Sequence, residues 1–504
     1  MVAPAVKQHT TFENQACKFS ARCLPSAFKQ TWAVMGVLLN MLGQGMVLAF
    51  PSILLPALLA PDSKIKADLD GASWAASCVA PAGIPGFFIS SFLMDRIGRK
   101  FTHIIVMIPS IVGWVFIYFA SNMSALIIGR ILSGFTGAGT VILGAVVIGE
   151  FSSPANRGMF LNLKTTAVCL GNSMVHILGN YLTWNQIALV AMTPHLFALL
   201  IIFTWPESPA WLASKKKFEA SEKSFYWLRG TSPESRGELE ELIRAQKERD
   251  DQKKSMSILE KCLEIVNKFT KKDFVKPSII MLFAGIILEA CGRHFFAAYA
   301  LQIIGEVTGS KTNSFYYTLA IDIIITTSAA CSSVLVKVFK RRTLFFWSGF
   351  TALFILVCVC VYLFLSALGI ISKDRPWIPI GLFVVYFILS NLGCTAIPLA
   401  LLGELYPLAH RGVGAAVSGI ILALTLMVTM QVTPYLLASV KVYGTFATYG
   451  AAMGLCLVGM YYILPETKDR TLQEIEYYFN FGKFRDDKID NDEEAKMKMI
   501  PHTN

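Results

Sequence analysis

A chain of 504 residues that is 54% hydrophobic and only 16% charged, with 35 phenylalanines, carries too little charge to cover a water-facing surface. A soluble enzyme and a disordered interaction protein are therefore poor readings. The net charge of +11 collects at the edges of apolar blocks, where it faces anionic membrane lipids and not nucleic acid.

The blocks run about 20 to 30 residues, the length of a helix crossing about 30 Å of hydrocarbon. In chain order, spans 1 to 12 are expected at 31–59, 73–94, 102–120, 124–149, 159–182, 186–205, 277–303, 313–336, 344–368, 377–402, 412–437 and 442–464. The runs are continuous and not alternating, which excludes barrel strands and leaves helices to satisfy the backbone in lipid. Residues 1–30 hold Lys7, Lys18, Arg22 and Lys29 without a compact apolar stretch and cleavage site, so they do not read as a secretory signal.

Twelve spans put both tails on one side. Short segments on that side carry thirteen Lys/Arg against six on the other, so both termini are expected in the cytoplasm. The chain divides into a tail (1–30), a six-helix bundle (31–205), a charged cytoplasmic bridge (206–276), a second bundle (277–464) and a tail (465–504). Within the bridge, helical spacing is expected around 218–228, 238–249 and 257–268. Cys17, Cys23 and Cys262 fall in cytoplasmic segments and the other cysteines inside spans, so no disulfide framework is expected. No Cys/His cluster has metal spacing, and no GxSxG, HExxH or nucleotide-binding glycine loop appears. Neither an enzyme nor a cofactor or metal site is expected.

The halves echo one another. Glu150 to Gly158 (EFSSPANRG) recurs as Glu404 to Gly412 (ELYPLAHRG) at an offset of 254. Pro206-Glu207-Ser208 recurs as Pro465-Glu466-Thr467, and Arg99-Lys100 as Arg341-Arg342. Such ordered repeats imply a duplicated six-helix unit, suited to moving one bundle against the other around a midplane site. Glu150, Arg157, Glu404 and Arg411, with Asp95, Arg96 and Arg99, are candidates for a cytoplasmic gate; the alternative is that they only mark topology.

At these residues the chain resembles the sugar-porter branch of the major facilitator superfamily, and within it is most like insect facilitated trehalose and hexose transporters. Met94-Asp95-Arg96-Ile97-Gly98-Arg99-Lys100 resembles the motif after helix 2, and Gly129-Arg130-Ile131-Leu132-Ser133-Gly134 the helix 4 motif. Pro206 to Leu212 and Pro465 to Leu472 resemble the signatures after helices 6 and 12, with Ala210 where Arg is usual. The resemblance spans about residues 31–480 and implies an all-α membrane fold of two pseudo-symmetric six-helix bundles. It also implies facilitative transport of a small polar solute, a hexose or trehalose, across the plasma membrane.

The cargo positions depart from that family. Where two Gln, a Gly and an Asn are usual in helix 7, this chain has Leu288-Glu289-Ala290-Cys291-Gly292-Arg293-His294, then Tyr299 and Gln302. The helix 5 Gln falls on Thr165, the helix 11 Asn on Leu422, and helix 10 reads Ala396-Ile397-Pro398-Leu399. Substitute hydroxyl partners are Asn40 and Gln44 in span 1, Asn172 in span 5, Thr395 in span 10 and Gln431 in span 11.

Charges inside spans are costly, so Lys164, Glu289, Arg293 and Asp322 are cavity candidates, while for Arg130 the resemblance of its helix 4 motif implies a cavity or gate role. Glu289 and Arg293, four apart, meet on one helix face; they either neutralise each other or reach cargo. His294 either titrates or packs. Tyr299 is a candidate outer gate, and Gly292 a bending point. Span 1 has no Asp or Glu, whereas proton-coupled members of the family it resembles carry an acidic residue there, so the resemblance implies passive transport over symport. A carrier of a charged or amphipathic organic solute and a non-transporting receptor or scaffold with the same fold are the alternatives.

Overall fold

The structure is a computed structural model that describes residues 25–251, 269–309, 311–371, 375–406, 411–468 and 472–484. Every regular element among them is helical. Span 1 is Ser26–Ala49 continued by Pro51–Leu59, span 2 is Leu69–Ser77 and Val79–Ile97, and span 3 is Arg99–Tyr118. Spans 4 to 6 are Met123–Phe151, Pro154–Leu178 and Trp184–Phe203. Span 7 is Lys272–Ala290 and Phe295–Thr308, span 8 is Lys311–Val338, span 9 is Arg341–Ala367, and span 10 is Trp377–Ser390, Asn391–Thr395 and Ala396–Glu404.

Ten segments among the described residues are long and apolar enough to cross a membrane, and they hold eleven of the twelve expected spans, all but span 5. The last segment, Val413–Ile463, holds spans 11 and 12, joined where Lys441 takes φ 59°. Span 5 carries Asn162, Lys164 and Asn172, which dilute its hydropathy, yet it forms a full helix packed on spans 1 and 8. Gly45 and Gly171 let spans 1 and 5 approach closely: a Cβ on Gly45 would lie 2.0 Å from the Val168 carbonyl oxygen.

Local chemistry sets the helix starts. Asp68 accepts from the Gly71 amide at 2.8 Å to open span 2, and Asn122 accepts from the Ala125 amide at 2.9 Å to open span 4. Thr183 and Gln186 form a capping box at span 6.

The bridge forms helices Pro209–Ser214, Phe218–Arg229 and Pro233–Asp251; the expected helix at 257–268 lies outside the described residues. The bridge docks beneath the first bundle, where Gln30 Nε2 donates to the Leu228 carbonyl at 3.3 Å and Arg229 donates to that of Ser152. The final helix, Leu472–Phe481, docks beneath the second bundle through Lys276 Nζ and the Phe479 carbonyl, 2.8 Å apart. These contacts define a bridge end.

Away from that end, hydrogen bonds join the two bundles. Ser73 Oγ donates to the Gln431 carbonyl at 2.8 Å, Ser77 to the Gln431 side chain, and Tyr435 to Asp70. Leu55, Ala72 and Ala76 of the first half belong to the same apolar cluster as the second half's core. The bundles are thus closed against each other at the far end.

Candidate functional site: a cleft between the bundles

Span 7 stops at Ala290, turns through residues 291–294 and resumes at Phe295. Gly292 makes the turn with φ +91°, a left-handed conformation costing an L-residue about 1–2 kcal/mol, and a Cβ there would meet Phe387 at 3.2 Å. Span 10 widens at Asn391–Thr395 into a π turn. Irregular backbone at membrane depth is tolerated where it is buried or lines a cavity. Here both breaks line a small cleft.

Span 5 contributes Val168, Cys169 and Asn172 to the cleft, span 7 contributes Cys291 to His294, and span 10 contributes Phe387, Ser390, Asn391 and Thr395. A second cavity shares Cys169, Asn172 and Arg293 and adds Asp322 and Thr326 of span 8. The Asn172 Oδ1 is buried and has no hydrogen-bond partner among the described residues.

The expected Glu289–Arg293 pair does not form. The helix ends at Ala290, so four-residue spacing no longer places the two side chains together. Glu289, only 2% exposed, instead has both carboxylate oxygens 2.9 Å from His294 Nδ1. Arg293 lines both cavities without a hydrogen bond or ion pair among the described residues.

Asp322 pairs across the bundles with His176 of span 5: Oδ2 lies 2.6 Å from Nδ1, while Nε2 lies 2.9 Å from the Ala297 carbonyl oxygen of span 7. Sequence reading missed His176, as it missed Cys169 and Asn391. For His176 a signal was present, a polar ring inside an apolar span like Asp322, but only formal charges were weighed.

Asn172, Arg293, His294, Asp322 and Thr395 therefore meet at the cleft, with Glu289 bound to His294 beside it. The other cargo candidates lie elsewhere. Asn40 is held inside the first bundle, accepting from His195 Nδ1 at 2.8 Å and lying 3.2 Å from His103 Nε2. Gln44 packs on Gly137, Lys164 donates to the Val141 carbonyl at 3.0 Å, and Thr165 is half-buried away from the cleft lining. Arg130 is fully buried and donates to the carbonyls of Val47, Ala75 and Ala76 at 2.6, 2.9 and 3.5 Å, tying span 4 to spans 1 and 2. Tyr299 donates to the Met430 carbonyl at 3.3 Å within the second bundle, Gln302 is exposed, and Gln431 serves the far-end closure.

The gate candidates divide similarly. Arg99 forks onto Glu150 at 2.7–3.1 Å, which also accepts from Ser208, so this pair closes within the first bundle. Asp95, Arg96 and Arg157 are exposed, while the side chains of Glu404 and Arg411 lie outside the described residues. Glu207 Oε1 accepts the Arg99 amide at 2.7 Å and that of Lys100 at 3.2 Å, at the start of span 3. Glu466 accepts the Arg341 and Arg342 amides at 3.0 and 3.1 Å, at the start of span 9. Two of the sequence echoes, Glu207 with Glu466 and Arg99-Lys100 with Arg341-Arg342, thus occupy equivalent contacts in the two halves.

The profile of the sugar (and other) transporter family matches residues 47–479. The chain belongs to that family. It is a multi-pass membrane protein. It is similar to the facilitated trehalose transporter Tret1 of Drosophila mojavensis, 27% identical over 80% of this chain and 46% of that protein. It is also similar to Tret1 of Culex quinquefasciatus, 25% identical over 93% of this chain and 88% of the relative. The chain spans about half the length of several of the curated relatives it matches. Its fold is the major facilitator fold, as in the inward open conformation of the xylose transporter XylE from E. coli (TM-score 0.71, 17% identity, 90% of this chain and 99% of that one). The XylE proton:xylose symporter bound to 6-bromo-6-deoxy-D-glucose aligns at a TM-score of 0.68 with 18% identity, over 90% of this chain and 99% of that one.

Proposed function

We propose that this chain is a facilitative carrier of a small polar solute, a sugar such as a hexose or trehalose, working by alternating access in the plasma membrane. Both termini and the bridge face the cytoplasm in this reading, supported by the Lys/Arg excess on the bridge side. The observation that carries it is the cleft itself. It lies between the two bundles, at the breaks of spans 7 and 10, and includes Asn172, whose buried Oδ1 has no hydrogen-bond partner among the described residues. Names of the trehalose and xylose transporters supply the cargo class, and the absence of Asp or Glu from span 1 supports passive movement.

Counterflow of labelled solute in proteoliposomes tests this. Exchange of at least one neutral sugar without a proton gradient is expected. Binding without exchange would instead make the chain a receptor, and exchange that requires a proton gradient would make it a symporter.

A further inference from the structure

Arg293 stands out when every charge near the cleft is assigned its partner. His176 accounts for Asp322. Its Nε2 faces the Ala297 carbonyl, which can only accept, so that nitrogen carries hydrogen. Its Nδ1 lies 2.6 Å from Asp322 Oδ2, so a second proton sits between ring and carboxylate, and the pair is neutral overall wherever that proton resides. Glu289 is buried, gives both oxygens to the His294 Nδ1–H and does not line the cleft. Among the other cations nearby, Lys164 is bonded to a carbonyl oxygen and Arg130 to three.

Arg293 alone of these lines both cavities with no carboxylate within ion-pair distance among the described residues. A guanidinium offers a rigid fork of donors suited to two oxygens of one anionic group, and a partly apolar cleft penalises it until such a group arrives. Asn172, beside it on the lining of both cavities, lacks a donor for its buried Oδ1.

We infer that the cleft takes a small polyhydroxylated anion, its carboxylate, phosphate or sulfate held by Arg293 and a hydroxyl donating to Asn172. The inference rests on the carrier reading and narrows the cargo from sugars in general to sugar acids or sugar esters. A neutral sugar's hydroxyls can accept from the guanidinium, but only an anion also neutralises its charge and fills both arms of its fork. The neutral amides that the family resemblance places at the Glu289 and His294 positions are missing here, and Arg293 lies between them.

The test uses the full chain in proteoliposomes, with labelled glucose counterflow and with gluconate, glucuronate, glucose 6-phosphate and glucose 6-sulfate as competitors. At least one anion is expected to compete at about a tenth of the glucose concentration or less, as a charge-assisted fork implies. The arms separate carboxylate from phosphate and sulfate recognition. Flux of that anion should quicken under an inside-positive potential, since it crosses without a counter-ion. Arg293→Gln should lower the anion-to-glucose affinity ratio about tenfold or more, and Arg293→Lys should restore part of it. If Arg293→Gln does not fold, the wild-type order of competitors decides. Glucose outcompeting every anion would overturn the inference and leave the carrier reading intact. Absence of all exchange, with an anion still raising the thermal midpoint of the purified protein, would overturn the carrier reading and keep the anion site. Absence of both exchange and anion binding would overturn the two together.

Discussion

Arg130 shows why a buried cation need not be a cargo contact. Its three carbonyl acceptors belong to two other spans, and the Phe50 ring sits 5.9 Å from its guanidinium carbon, so charge and fork geometry are both consumed in holding spans 1, 2 and 4 together. A lysine keeps the charge but cannot reach three carbonyls in one plane. Arg130→Lys is expected to lower stability by about 1–3 kcal/mol, read as a fall in the thermal midpoint in detergent, without altering solute preference. A changed preference at unchanged stability would return Arg130 to the cleft. Gly292 is the converse case, a residue with no chemistry that fixes the chemistry of its neighbours. Gly292→Ala must adopt φ +91° with a Cβ 3.2 Å from Phe387, so a loss of about 1–2 kcal/mol and slower exchange are expected. Wild-type exchange and stability would show that span 7 turns without strain there.

At the scale of elements, the recurring Pro-Glu signatures act as caps. Glu207 closes the first amides of span 3 and Glu466 those of span 9, groups that have no acceptor inside their own helix. Burial pushes the Glu207 carboxyl above its ordinary value, while the amides of Ser208, Arg99 and Lys100 pull it back. With the folded value raised, the stability this group lends is full below the ordinary carboxyl range and declines as pH rises through the raised value. Hydrogen-bond acceptance, not charge, is therefore the useful property. Glu207→Ala should cost about 1–3 kcal/mol and Glu207→Gln clearly less, measured by thermal unfolding at neutral pH. Equal losses would assign the effect to charge. These caps were legible because they sit in short polar segments where sequence neighbours are spatial neighbours and the repeat betrays equivalent positions. The cleft was only half legible: Asn172, Arg293, His294, Asp322 and Thr395 were visible as polar residues in apolar runs. Their partners were not, because helical spacing assigned Glu289 to Arg293 while the turn at Gly292 handed it to His294.

For the whole molecule, the two bundles meet through a few polar contacts set in an apolar seam, and the most buried of these is His176 with Asp322 and the Ala297 carbonyl. Each half supplies one side of it, so its strength biases the equilibrium between the far-closed arrangement seen here and its opposite. An Ile325→Cys probe in a background without native cysteines would report that equilibrium, because Ile325 lines both cavities and becomes reachable from the far side only when the seam parts. Asp322→Ala leaves His176 Nδ1 without a partner in a buried site, a loss of about 1–3 kcal/mol, and should raise far-side labelling by an impermeant maleimide about tenfold. Asp322→Asn should behave differently. The amide nitrogen can donate to a neutral Nδ1 while Nε2–H keeps the Ala297 carbonyl, so the contact survives without the second proton and labelling should stay near the parent rate. If Asp322→Asn opens the far side as fully as Asp322→Ala, the seam is held by charge and not by matched donors and acceptors; if neither opens it, the apolar cluster around Leu55, Ala72 and Ala76 closes the far end alone.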